Sequence, residues 1–290
     1  MAKKQQHKDG KGGQKKIKYG KKAPSVPTGA QDDASGQGAD VALPRAPMYM
    51  YAFDRASAAD LGTIDPHAPI TLHVRTLSPL HLGSGYADIH VDADVVQDDA
   101  GLPYFPAKRL KGLLYESACE VAEMAEISGL PLFDREALDT LFQRGRTGEV
   151  QLVLHNLYME HHAMIHADLK YLQEKYPTIF RAADVLGSYA NLRWQTRINR
   201  ETGVAETTSL HNMRVIDKGA EFSGEIRVLH AGMEHLSILA LAVRNLSQCG
   251  GKRTRGFGRI VCTLRQNGRD IAVPLIENAI GWKTRKGGKR

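Results

Sequence analysis

Three groups of residues in this 290-residue sequence have types and spacing that could do chemistry. The first is acidic. Asp88, His90, Asp92 and Asp94 stand at alternate positions, so an extended segment would set all four side chains on one face. Carboxylates grouped in this way can hold a divalent cation or accept a proton. The second is basic: Gly250-Gly251-Lys252-Arg253-Thr254-Arg255-Gly256-Phe257-Gly258-Arg259. Glycine lets backbone come close to a phosphate, and cations neutralise it. Gly250, Gly251, Gly256, Gly258, Lys252, Arg253, Arg255 and Arg259 are therefore read as a phosphate-binding loop. No Gly-Lys-Ser/Thr opens a helix behind it, which excludes a Walker loop. The third group is His155, His161, His162 and His166. His162 and His166 would share a helix face as zinc ligands. No cysteine lies near them and the rest of a zinc motif is missing, so a structural or surface role is the better reading and Zn2+ is not expected.

These groups need elements to position them. Ile70 to Thr76 alternates apolar and polar residues, which predicts a half-buried strand. Val91 to Val96 reads as a second extended stretch ending at the turn Asp98-Asp99-Ala100-Gly101. Pro106 stands where a helix would begin. Beyond it Leu110, Leu113, Leu114, Ala118, Val121 and Ala125 predict an amphipathic helix of about 20 residues, stopped by Gly129-Leu130-Pro131. Its first turn carries Lys108, Arg109 and Lys111, where backbone N–H groups also favour an anion. A helix is expected between Asp134 and Gln143, a strand through Val150, Leu152 and Leu154, and mostly helix over 166–190 with a break at Pro177. Gln195 to Asn212 is polar and predicts an exposed hairpin or loop. Phe222, Ile226 and Val228 mark a strand, Leu236 to Leu246 a helix, and Ile260, Cys262 and Leu264 the last strand. Strand, helix, strand, strand, helix, strand with insertions is an α+β, ferredoxin-like order shared with RRM-type RNA binders.

Charge divides the chain. Residues 1–45 carry a balance of +6, residues 281–290 add +5, and the body, 46–280, is −4. The basic excess lies in the ends, so a case for nucleic acid rests on the local clusters and not on net charge. Residues 1–45 have little to bury and are expected to form a disordered basic arm, with 281–290 a basic tail of the same kind. The body is expected to be one domain. Cys119, Cys249 and Cys262 form no CxxC pair, which fits a reducing cytoplasm. No apolar run reaches the roughly 20 residues that span a bilayer, and no secretory signal is visible. The expected setting is cytoplasmic, without membrane.

The segments Pro79-Leu80-His81-Leu82-Gly83-Ser84-Gly85, Val91-Asp92 and Gly101-Leu102-Pro103-Tyr104-Phe105-Pro106-Ala107-Lys108-Arg109-Leu110-Lys111-Gly112 resemble the N-terminal block of RAMP proteins. The glycine loop at 250–258 resembles their C-terminal signature. The resemblance spans about residues 69–265, and within the superfamily it is nearest the repeated backbone subunit of type III CRISPR effector complexes. It implies a ferredoxin-like RAMP fold with a helical insertion and a thumb hairpin at about 195–215. It implies guide RNA (crRNA), target RNA, further copies of the chain and other effector subunits as partners. Lys108, Arg109, Lys111, Arg197, Arg200 and the cations and glycines of the 250–259 loop would hold RNA. The chain departs from the family at Ala107, Lys108 and Arg109, where small hydroxyl residues are common. In cleaving members an Asp in the loop before the Pro-Tyr-Phe-Pro-like block is needed to cut target RNA, and the matching position is Asp92, with Asp88 and Asp94 as rivals. Asp92 would hold Mg2+ or Mn2+ transiently, or accept the proton of a 2′-OH attacking its neighbouring phosphate. A structural subunit without cleavage is the alternative, followed by a guide-processing nuclease using His81 or His90.

Overall fold

Alternation in the first ordered strand places Ile70, Leu72, Val74 and Thr76 inward, and the strand forms over the expected residues as β1 (Ile70–Thr76). The computed structural model describes residues 60–87, 89–130, 132–143 and 148–287, with side chains through residue 281. All belong to one compact unit, Met50–Arg290. The arm expected over 1–45 and Asp88 lie outside the described residues.

β1 is followed by α1 (Ala107–Ile127), α2 (Arg135–Phe142), β2 (Gln151–Leu154), the short β3 (Tyr158–Met159), α3 (His162–Lys175) and α4 (Ala182–Gly187). Then come β4 (Ala190–Gln195), β5 (His211–Ile216), β6 (Glu221–Leu229), α5 (Met233–Asn245), β7 (Ile260–Gln266), β8 (Arg269–Asp270) and α6 (Ala272–Gly287). The main sheet runs β2-β6-β1-β7-β8, with β3 also on β6. β1 is antiparallel to both β6 and β7. Taking β1, α1, β2, β6, α5 and β7 as the six repeating elements, this is the ferredoxin-like arrangement.

One face of the sheet carries the core. Leu110, Leu114 and Ala118 of α1 and Leu236, Leu239 and Ala240 of α5 are fully buried. Each such leucine contributes about 1.5–3 kcal/mol by leaving water. The Ser117 hydroxyl of α1 donates to the Ala242 carbonyl of α5 at 2.8 Å, locking the two helices together. The opposite face is open. There β1 and β7 present Thr71, His73, Arg75, Val261, Thr263 and Arg265, all partly or wholly exposed. Burial lowers the His73 pKa, Arg265 reinforcing this while Glu221 and Glu160 oppose it. β1 and β7 carry no Phe, Tyr or Trp, so this face lacks the large aromatic platform of RRM proteins. Cys249 and Cys262 are free and buried. Burial pushes the Cys249 thiol up to about 12 and the Cys262 thiol higher still, so neither supplies a thiolate.

Several expectations are corrected. Val91 to Val96 forms no strand; its backbone makes a single bridge, Val95 with Gly83, and His90, Asp92 and Asp94 therefore share no strand face. The expected exposed hairpin is real, but its strands lie at β4 and β5 and pair from Ala190–Ile216 to Gln195–His211. The helix expected from 166 begins four residues earlier, at His162. α6 runs to Gly287, so residues 281–287 of the expected tail continue a helix. No helix among the described residues is long and apolar enough to cross a membrane.

α3 differs from α1 and α5 because none of its fourteen residues is buried. One stripe of it meets the turn at 98–100: His162 reaches Asp98 at 2.7 Å, His166 reaches Asp99 at 2.8 Å, Lys170 reaches Asp99 at 3.1 Å, and Gln173 donates to the Ala100 carbonyl at 2.9 Å. Gly101 completes the seat. Its φ is +95°, and a Cβ there would stand 2.1 Å from the Ala182 carbonyl oxygen at the start of α4.

Candidate nucleic-acid interface

The glycine loop folds back on the segment that follows β1. Gly258 N–H donates to the Pro79 carbonyl at 2.9 Å, Gly251 N–H to the His81 carbonyl at 3.0 Å, and Leu77 N–H to the Arg259 carbonyl at 2.7 Å. The loop closes on itself through Cys249 N–H and the Gly258 carbonyl at 2.8 Å. Two of its glycines answer to this packing. A Cβ on Gly258 would stand 1.9 Å from the Cys249 oxygen, and one on Gly250 would stand 2.5 Å from the His81 oxygen. The sequence reading assigned these glycines to phosphate approach; what requires them in the fold is close approach of the chain to itself. Lys252, Arg253, Arg255 and Arg259 are left exposed around a short 3-10 turn.

The start of α1 joins the same neighbourhood. Ala107 N–H donates to Asn156 Oδ1 at 2.8 Å, so part of the helix terminus is capped from within the protein. Arg109 turns inward and donates from Nη2 to the Gly83 carbonyl at 2.8 Å. It shapes the 81–85 loop, while Lys108 remains exposed. Lys111 extends toward Gln143 Oε1 at 3.4 Å.

The acidic loop is held by the return strand of the hairpin. Asn212, 4% exposed, accepts from Asp92 N–H at 2.9 Å, donates its own N–H to Asp92 Oδ2 at 2.7 Å, and donates from Nδ2 to the His90 carbonyl at 2.8 Å. Two residues on, Arg214 Nε lies 2.9 Å from Asp94 Oδ1, and Arg214 N–H donates to the Ala93 carbonyl at 2.9 Å. These contacts separate the rivals. The Asp94 carboxylate is largely buried in an ion pair and also accepts from Val95 N–H at 2.7 Å. Asp92 stays exposed with its carboxylate fixed at one oxygen. Asp88 lies outside the described residues. His81 Nδ1 is 2.7 Å from the Arg214 carbonyl, the bond of a ring seated in the fold, whereas His90 is exposed.

The hairpin adds an aromatic group. Trp194 on β4 is the register partner of Asn212 and is 63% exposed. Cross-strand partners project on the same side, so the indole lies on the side that receives Asp92. Beyond the strands, Thr196, Ile198, Asn199 and Glu201 line an open recess of about 650 Å3 together with Arg197, Arg200, Glu206 and Arg255. Arg255 of the glycine loop reaches Gln195 Oε1 at 3.4 Å, bringing the loop to the base of the hairpin. Residues 92, 109, 194, 197, 200 and 252–259 thus belong to one connected set of loops. The groups that sequence reasoning passed over are Asn212 and Arg214, polar residues in a strand, whose roles are visible only once β5 is placed beside the acidic loop.

The pattern matches known proteins. A family model for the RAMP superfamily matches residues 73–261. Among solved structures, a chain of a type III-B Cmr-beta complex bound to cognate target RNA, determined by cryo-EM, aligns with a TM-score of 0.50 at 13% identity, covering 73% of this chain and 100% of that one. A chain of the same kind of complex in its apo state aligns with a TM-score of 0.49 at 12% identity, covering 69% and 98%. No curated protein matches the chain. With the family model covering well over half of the sequence, and with its two motif blocks stitched together at Pro79, His81, Gly251 and Gly258, the chain belongs to the RAMP superfamily.

Proposed function

We propose that this chain is a guide-RNA-binding backbone subunit of a type III-like CRISPR effector complex and that it cleaves paired target RNA beside Asp92. One observation carries the reading: strand β5 holds the exposed Asp92 on one side of a hairpin whose base also carries exposed Trp194 and touches the cationic loop through Arg255. Membership of the superfamily supports it, as does the likeness in fold to a chain from a complex bound to target RNA.

The cations at 252, 253, 255 and 259 hold phosphates without reading sequence. The hairpin interrupts the pairing of guide and target, and a nucleotide freed from A-form stacking can bring its 2′-OH in line with the adjacent phosphorus. The 2′-oxygen then bonds to phosphorus, the bond to the 5′-oxygen breaks, and the 2′-OH proton leaves as the 5′-oxygen gains one from solvent. Asp92 fits a role at that phosphate as a single exposed carboxylate. A Mg2+ or Mn2+ ion shared between it and the RNA would neutralise the developing charge, because such ions often use only one or two protein carboxylates. Asn212 keeps the carboxylate from swinging away.

A second reading follows from the same clamp. An aspartate accepting a backbone N–H is also how a loop is fastened, and on that reading the subunit binds RNA while another protein cuts it. Asp92→Asn separates the two, since the amide can still accept from Asn212 N–H but cannot hold a divalent ion well. In a reconstituted complex with guide, Asp92→Asn is expected to bind target normally and to cut it at least about 100-fold more slowly. Cutting at the wild-type rate would transfer the chemistry to another subunit.

A further inference from the structure

The turn at 98–100 and the face of α3 that meets it hold a cluster that RNA binding does not use. Asp98 is oriented first by its own turn: Oδ1 accepts from Ala100 N–H and Leu102 N–H, each at 2.9 Å. That leaves Oδ2 pointing at α3, 2.7 Å from His162 Nε2 and 3.9 Å from His166 Nε2. Asp99 splits its oxygens likewise, with Oδ1 2.8 Å from His166 Nε2 and Oδ2 3.1 Å from Lys170 Nζ. Asp98, Asp99 and His166 thereby bring one donor atom each within 4.8 Å of one another. Donors about 2.0–2.2 Å from a tetrahedral ion stand roughly 3.3 Å apart, within the spread of these separations.

Two further features favour a bound cation over simple pairs. Each carboxylate already has its second oxygen engaged by a hydrogen-bond donor, the arrangement that orients metal ligands. And α3 buries none of its residues. Its apolar Ile165, Leu169 and Leu172 are only half-buried, so the polar stripe carries much of its attachment, and the exposed pairs to Asp99 stabilise by under about 1 kcal/mol each.

We infer that Asp98, Asp99 and His166 form a site for a divalent transition-metal ion, with His162 holding the Asp98 carboxylate in place, and that the bound ion pins α3 to the turn preceding α1. One nitrogen and two carboxylate oxygens suit a borderline ion of the zinc, cobalt or manganese class. This departs from the sequence expectation of a structural or surface role without zinc: the remaining ligands come from a turn more than sixty residues upstream.

The test is a titration of the full chain, stripped with a chelator, using Co2+ as the probe. Wild type is expected to bind one Co2+ per chain with the visible d–d absorption of a nitrogen–oxygen site, and to gain thermal stability as Co2+ is added. His166→Ala and Asp99→Asn should each weaken Co2+ binding by at least about tenfold, and His162→Gln by about tenfold. Circular dichroism checks that all three variants are folded, and RNA affinity should match wild type in each. Absence of stoichiometric Co2+ binding by wild type overturns the site and leaves only hydrogen-bonded His–Asp pairs. Binding that survives both His166→Ala and Asp99→Asn overturns it equally, because the ion then sits on other residues. Asp92 and the 250–259 loop are untouched by these variants, so either failure leaves the RNA-cleavage reading standing.

Discussion

The loops that gather around Asp92 and the helix α3 are both polar, exposed stretches of chain, yet opposite means hold them. The first region is stitched by main-chain hydrogen bonds between distant segments: Pro79 with Gly258, His81 with Gly251, Ala93 with Arg214. It tolerates no bulk at Gly250 or Gly258. The second meets its turn through the side chains of His162, His166, Lys170 and Gln173, and none of its residues is fully buried, Ile165, Leu169 and Leu172 being half-buried. On the proposed reading Asp92 has to meet a phosphate within a fraction of an ångström, and the first kind of support suits that task. An inserted helix can be fastened by the second kind and stay replaceable.

The comparison can be broken most directly at Gly258. Its φ is +75° and a Cβ would meet the Cys249 carbonyl oxygen at 1.9 Å, so Gly258→Ala is expected to cost roughly 3 kcal/mol or more in urea unfolding. A loss below about 1 kcal/mol would mean the loop can relax away from its stitches. Next in size is Asn212→Ala. It leaves the Asp92 N–H and the His90 carbonyl without this partner, which should cost about 1–3 kcal/mol. Limited proteolysis should then find the acidic loop more readily cut than in wild type, and unchanged cleavage would show that the loop holds its shape without β5. The smallest effect is expected for Lys170→Ala, whose pair with Asp99 is half exposed on one side and more on the other. About 0.5 kcal/mol or less is predicted from thermal unfolding. A loss comparable to that of Asn212→Ala would erase the distinction between the two regions.

Legibility in the sequence followed the same division. β1 formed over the residues its alternation marked, and α1 began behind Pro106 and ended before Gly129, whose φ of +70° suits a helix stop. Both elements bury one face, so periodicity reports them. β4 exposes Asn191, Leu192, Arg193 and Trp194 and so shows no apolar face. β5 has the reverse problem: Asn212, Met213, Val215 and Ile216 are all buried, because the acidic loop covers the side that would otherwise be wet. Alternation is lost in each case, for opposite reasons. Val91 to Val96 looked like a strand because its residues alternate, but its partners are an asparagine side chain and a single bridge. The cationic loop was legible as a cluster, while the tight packing at Gly250 and Gly258 was not, since it depends on backbone brought in from 249 and 81. Pairing across more than sixty residues, as between Asp98 and His162, leaves no local trace at all.

Arg259 N–H donates to Ser78 Oγ across 181 residues of chain. Contacts of such long sequence separation carry a high loop-closure cost and form late in folding. During synthesis, then, residue 259 must have been added before the glycine loop can close fully on the segment after β1. A nascent chain therefore carries the first of the two joined segments long before the second. On the proposed reading as an RNA-binding subunit, chain topology alone then keeps half-made subunits from capturing RNA.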